Sequence, residues 1–322
     1  MHTVTAPASL RALLTDLVDY AGLFPPAKLD MTSAVETYAR HVRGPFAWGI
    51  ARFVCPVSRL NEWAAAADRH LSALPSDDAS APPEPWKLTV LIDGKLSDNL
   101  QAIDRFNDAH AAGNGNGNGH AHKHAHNAVV DTIEMKVQTP DTIDQAMDLL
   151  PEELYPFFEI PADGDLRSFA TCLAGMGAGV KIRTGGVTPE LFPALERVAD
   201  FLIAFHTAEV PFKATAGLHH PVRAVQPLTY EPGCATHTMH GFLNVFAGAA
   251  LLRELRINRD TLLKVLGETD GGAFKFDDDG LTWRQLRLTT AQIKAARENY
   301  AICFGSCSYD DPINDLQKLG VL

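Results

Sequence analysis

Residues 179–217 read GVKIRTGGVTPELFPALERVADFLIAFHTAEVPFKATAG. The two ends of this stretch are short β-branched or aromatic runs, and between them lies a helical pattern over 189–206. A strand, a helix and a second strand in so few residues is the signature of a parallel βαβ unit. The same alternation extends outward in both directions. Further strand-like runs occur at 48–56, 87–94, 129–137, 155–161 and 301–306, with helical patterns over 57–72, 97–110, 140–150 and 165–176. DYAGLFPP (19–26), followed by a helical 31–42, supplies an eighth unit. Eight such units predict a (β/α)8 barrel of the α/β class, a TIM barrel. An open doubly wound sheet is the alternative, but no Gly-rich dinucleotide fingerprint follows an early strand.

Three segments stand outside the alternation. Residues 72–85 form a Pro/Ser/Ala connection, and 111–127 a Gly/Asn/His tract expected to be a flexible loop. Its His120, His122, His124 and His126 could chelate metal opportunistically. The long segment 224–300, with an apolar helix near 240–255 and a hairpin around 274–283, is expected to be an insertion or cap over the barrel mouth. One barrel with these additions accounts for 1–322 without a second domain.

The 322 residues carry 28 Lys and Arg against 39 Asp and Glu, a net charge of −11. So acidic a chain is a poor general partner for nucleic acid or anionic membrane. No apolar run is long enough to span a bilayer, and no basic stretch leads into an apolar one near residue 1. The five cysteines, odd in number and scattered, suggest reduced thiols. A cytoplasmic location is therefore expected. The sequence leaves the oligomeric state open, a homo-oligomer included.

Buried parallel strands are usually continuous apolar runs. Here Lys181 and Arg183 share one face of VKIRTGG, and Lys213 and Thr215 one face of PFKATAG. Glu134 and Lys136 share a face of TIEMKV, and Glu159 stands among apolar neighbours in FFEIP. If the apolar residues meet the helices, these charges project into the barrel. An unpaired charge there would cost several kcal/mol, so each needs a partner or a ligand. A self-neutralising network is the structural alternative to an active site. Two lysines on adjacent strands also have a chemical use: one ammonium depresses its neighbour's pKa, leaving an amine able to attack a carbonyl. The Schiff base is then an electron sink, and a nearby carboxylate can shuttle protons. The Gly-rich strand ends around Gly185, Gly186, Gly217 and Gly305, with Ser306 and Ser308, offer backbone N–H groups suited to an anionic substrate.

VKIRTGG, FKATAG and CFGSCS, in this order, resemble the deoxyribose-phosphate aldolase family. That family carries a Lys-Thr-Ser-Thr-Gly strand, a Phe-Lys-Pro-Ala-Gly-Gly-like strand and a Phe-Gly-Ala-Ser-Ser phosphate turn. VVDTIEMKV is similar to its Val-Asp strand. The resemblance implies a TIM-barrel class I aldolase without a cofactor. Lys181 would be the Schiff-base lysine, Lys213 its activating neighbour and Asp131 the proton-transfer acid. Gly185, Gly217 and Ser306 would lie near the substrate anion. Asp131 and Glu134 lie on opposite faces of a regular strand, so only one of them can serve the lysines. Lys136, Arg183, His219, His220 and Arg223 complete the expected substrate contacts.

A rival reading starts from His219, His220, Cys234, His237 and His240, gathered within 22 residues. CATHTMH spaces a Cys and two His by three, which on a helix places them on one face. A zinc or other divalent ion held there would make a metal-dependent barrel lyase or hydrolase. A third reading is a non-catalytic protein that binds a small anion. Cys303 and Cys307 are spaced C-x3-C and lack the redox C-x-x-C pattern.

Overall fold

The computed structural model describes residues 6–70, 85–110 and 127–322. Most of the Gly/Asn/His tract, including His120, His122, His124 and His126, and most of the Pro/Ser/Ala connection lie outside the described residues. Eight parallel strands close into a barrel: β1 (Val18–Tyr20), β2 (Ile50–Pro56), β3 (Trp86–Leu91), β4 (Ala128–Lys136), β5 (Tyr155–Glu159), β6 (Gly179–Arg183), β7 (Phe212–Thr215) and a last strand at Ala301–Ser306. Between β7 and the last strand lie an antiparallel hairpin of β8 (Ala224–Pro227) and β9 (Thr236–Met239) and a three-stranded sheet of β10 (Phe274–Phe276), β11 (Gly280–Trp283) and β12 (Leu286–Thr289). The last barrel strand is β13. It pairs with β7 on one side and with β1 on the other, which closes the ring. The chain is an α/β protein with the (β/α)8 architecture.

The helices arise where the apolar period changes from two to 3.6. Asp30 caps the helix Met31–His41 by accepting from Ser33 N, and Thr289 with Gln292 forms a capping box at Thr290–Asn299. The helical pattern at 189–206 starts late. Residues Pro189–Leu191 make a single 3-10 turn, and the α-helix runs Leu195–Thr207. Pro193 explains the break, because proline disfavours helical backbone in the residue before it.

The helix Phe242–Leu255 is apolar on almost every side and buried. Phe246 stacks 5.7 Å from Phe212 of β7 and meets Phe304 of β13 at 5.7 Å in a tilted pair. A buried phenylalanine contributes about 1.5–3 kcal/mol, so this helix belongs to the barrel wall rather than to its mouth. Of the expected cap, it is the β8–β9 connection that lies by the mouth, where Leu228, Thr229 and Tyr230 share a small cavity with His219 and Gly186. Among the described residues, no helix is long and apolar enough to cross a membrane.

Candidate active site in the barrel interior

Strand register builds the site. Lys136 pairs with Glu159, Glu159 with Lys181, Lys181 with Lys213, and Lys213 with Cys303. One row of side chains thus crosses five neighbouring strands. The apolar alternates Val180, Ile182, Phe212 and Ala214 are buried in the hydrophobic core. The expected inward direction of the charges is realised.

These charges close a chain of ion pairs. Lys213 binds Asp19 of β1 and lies 2.6 Å from Oε1 of Glu134. The other oxygen of Glu134 accepts from Lys181 at 2.5 Å, and Lys181 also lies 2.7 Å from Glu159. Arg183 Nε completes the chain by donating to Glu159 at 3.3 Å. Three acids thus alternate with three bases. Burial alone would raise the pKa of Glu134, but Lys181 and Lys213 outweigh it and hold that carboxyl down to about 2. Glu159 is likewise held low: burial opposes, while Lys181 and Arg183 prevail. Lys213 moves the other way from a depressed amine. Burial favours its neutral form, yet Asp19 first and then Cys303 and Glu134 push its pKa above the usual lysine range. Lys213 therefore remains an ammonium, and its nearness to Lys181 does not neutralise it.

Above this chain opens a cavity of about 310 Å³ at the C-terminal ends of the strands, where barrel active sites form. Lys181, Glu134, Glu159, Arg183 and Lys136 line it, whereas Lys213 is fully buried beneath. Among the described residues Lys136 makes no ion pair with a carboxylate, which leaves one free positive charge at the wall. Gly186, Gly305, Ala216 and Cys307 also line the wall. Gly217 has φ +75°, and a Cβ there would stand 2.8 Å from Gly185 Cα. The ends of β6 and β7 approach this closely because neither residue has a side chain. Thr184 Oγ1 pins them by donating to Ala216 O at 2.6 Å.

The other expected residues divide. His219 lines the cavity. Ser306 is buried and its hydroxyl donates to Ser308 O at 2.7 Å, while Ser308 Oγ accepts from Asp311 N. Those hydroxyls shape the turn. Asp131 is not brought to the lysines. In the β3–β4 register Leu88 pairs with Val130 and Thr89 with Thr132, so Asp131 is the extra residue of a bulge. Its carboxylate takes both Arg52 Nε at 2.7 Å and Arg52 Nη2 at 2.8 Å. Glu134 is the acid that the strand delivers. Arg223 is held elsewhere: its backbone N–H donates to Asn244, and its guanidinium lies 3.5 Å from His240 Nδ1.

The histidines do not converge as the metal reading expects. CATHTMH contains strand β9 where a helical face was expected. His220 Nδ1 meets Asp315 at 2.6 Å, the His237 ring lies tilted 5.0 Å from Phe192, and His240 Nε2 donates to Pro193 O at 2.8 Å. Cys234 donates to Thr229 O. No group of three His, Cys, Asp or Glu side chains among the described residues could hold a metal ion.

The structure adds residues that pattern did not expose. Asp19 is fully buried and accepts from Arg52 N at 3.1 Å and Thr89 Oγ1 at 3.2 Å besides binding Lys213. It stands in a three-residue strand too short for alternation to mark its face. No family model matches the chain, and neither a curated protein nor a solved structure matches it.

Proposed function

We propose that the protein is an aldolase-like carbon–carbon lyase that holds a small anionic carbonyl compound as a Schiff base on Lys181. The fold is one that commonly carries enzymes. One observation supports the choice of lysine: Lys181 lines the cavity between two carboxylates, whereas Lys213 is sealed below it. For attack, Lys181 passes a proton to Glu159 and its free pair joins the carbonyl carbon. Loss of water leaves an iminium, which accepts the electrons of the breaking carbon–carbon bond. Lys213 keeps its proton and fixes Glu134 in place. The ion-pair chain is neutral as a whole, so Lys136 is the cation left to meet the substrate anion. The likeness of VKIRTGG and FKATAG to the deoxyribose-phosphate aldolase strands favours the same reading.

Borohydride reduction in the presence of acetaldehyde, acetone or pyruvate, followed by peptide mass mapping, tests it. The expected product is a reduced adduct on Lys181, lost in Lys181→Met. Adducts confined to exposed lysines overturn the proposal.

A further inference from the structure

The turn after β7 carries one more reactive group to the cavity. Ala216 and Gly217 both have left-handed backbone, φ 61° and φ 75°, and they reverse the chain beyond Thr215. Leu218 anchors in the core, and the next side chain, His219, reaches the cavity wall. His219 also faces a second cavity of about 110 Å³ covered by the β8–β9 connection. His219 thus lines both cavities. Its Nδ1 is buried without a hydrogen-bond partner and lies 3.7 Å from Asp311 Oδ2, beyond hydrogen-bond range. Asp311 accepts from Tyr230, a residue 57% exposed, so the group behind the imidazole leads to solvent.

The carboxylates of the cavity are already engaged by cations and by the lysine proton. Glu134 is shared by Lys181 and Lys213, and Glu159 by Lys181 and Arg183. Lys136 and Arg183 are cations. Burial pushes the Cys307 thiol up to about 11, which keeps it protonated. Burial also holds His219 down to about 4, so at neutral pH it carries a free lone pair.

We propose that His219 is a catalytic residue: its imidazole takes the hydroxyl proton of the imine-bound substrate as the carbon–carbon bond breaks, and returns it to the enamine carbon. The role rests on the Schiff-base reading of Lys181. As the hydroxyl proton moves to the imidazole, the O–H pair becomes the carbonyl of the departing aldehyde. The carbon–carbon pair moves into the iminium and gives an enamine. The imidazolium then protonates that carbon, the iminium re-forms, and His219 ends neutral. Asp311 stabilises the imidazolium between the two steps, as a carboxylate behind an imidazole does in a catalytic triad.

The final step is reversible, so it can be watched without the natural substrate. In D2O, the native protein should exchange the methyl protons of acetaldehyde, acetone or pyruvate, followed by NMR. In His219→Asn and His219→Gln, borohydride should still label Lys181, while exchange falls by about 100-fold or more. Exchange that persists in either labelled variant overturns the role of His219 and leaves the Schiff base standing. So does a native protein that is labelled but exchanges no faster than buffer. Loss of labelling in both variants also overturns the role, because a residue that acts only after the imine has formed leaves imine formation intact. A native protein that cannot be labelled at Lys181 overturns the Schiff-base reading, and this inference with it.

Discussion

Lys181 and Lys213 occupy paired register positions on adjacent strands, and both ammonium groups close on the same carboxylate, Glu134, at 2.5 and 2.6 Å. The two lysines are joined through an acid rather than set against each other. This arrangement makes the interior of the barrel sensitive to any single change of charge.

Glu134→Gln removes the carboxylate that serves both lysines and leaves two buried cations short of a partner. A loss of about 3–5 kcal/mol in unfolding free energy is expected, read by urea titration. The double variant Glu134→Gln/Lys181→Met should recover part of that loss, since Lys213 keeps Asp19 and Glu159 keeps Arg183. Strict additivity of the single changes would show that the pairs are not coupled.

Acid should destabilise the protein in two stages. His219 and His240 are held at about 4 by burial, against an ordinary 6.5. Between those values the unfolded chain binds more protons, so stability falls as pH drops from about 6.5 to 4. Glu134 is held at about 2 against 4.5, so its contribution is complete above 4.5 and lost on descending to 2. That shift corresponds to about 3 kcal/mol. Denaturant midpoints at pH 7, 5 and 3 measure both stages. The first stage should shrink in His240→Gln, and an unchanged profile would count against its burial as the cause.

Gly217→Ala combines a left-handed backbone with a Cβ 2.8 Å from Gly185 Cα. Gly233 has the same φ of +75° with nothing within 4 Å. The strain alone should cost Gly233→Ala about 1–2 kcal/mol. Gly217→Ala should lose distinctly more, because the ends of β6 and β7 must also separate. Equal shifts in thermal midpoint would mean that the close approach carries no energy.

Thiol chemistry should distinguish the cysteines. Burial raises the pKa of Cys55, Cys303 and Cys307, the last two to about 12 and 11. Cys234 is lowered by its contacts with Thr229. A chromogenic disulfide reagent at pH 8 should therefore label Cys234 first, Cys172 more slowly, and the three buried thiols only after denaturation. Rapid labelling of Cys303 in the native protein would contradict its place inside the barrel.

Much of this molecule is legible without coordinates. In GVKIRTGG and PFKATAG, a polar side chain at every second residue marks a strand with one polar face, and the barrel follows from eight repeats of strand and helix. Alternation also selects Glu134, Glu159, Lys181, Arg183 and Lys213 as inward, because side-chain direction along a regular strand is a local property. Local rules stop where the backbone departs from regularity or where partners come from afar. Asp131 sits in a bulge, so its face does not follow from counting residues. CATHTMH suits a helix by spacing, but pairing with β8 makes part of it a strand, and the histidines part company. Asp19 meets Lys213 across 194 residues of chain. Pattern shows that Lys213 points inward. Only closure of β13 onto β1 brings an acid beneath it, and that proximity decides that it stays charged.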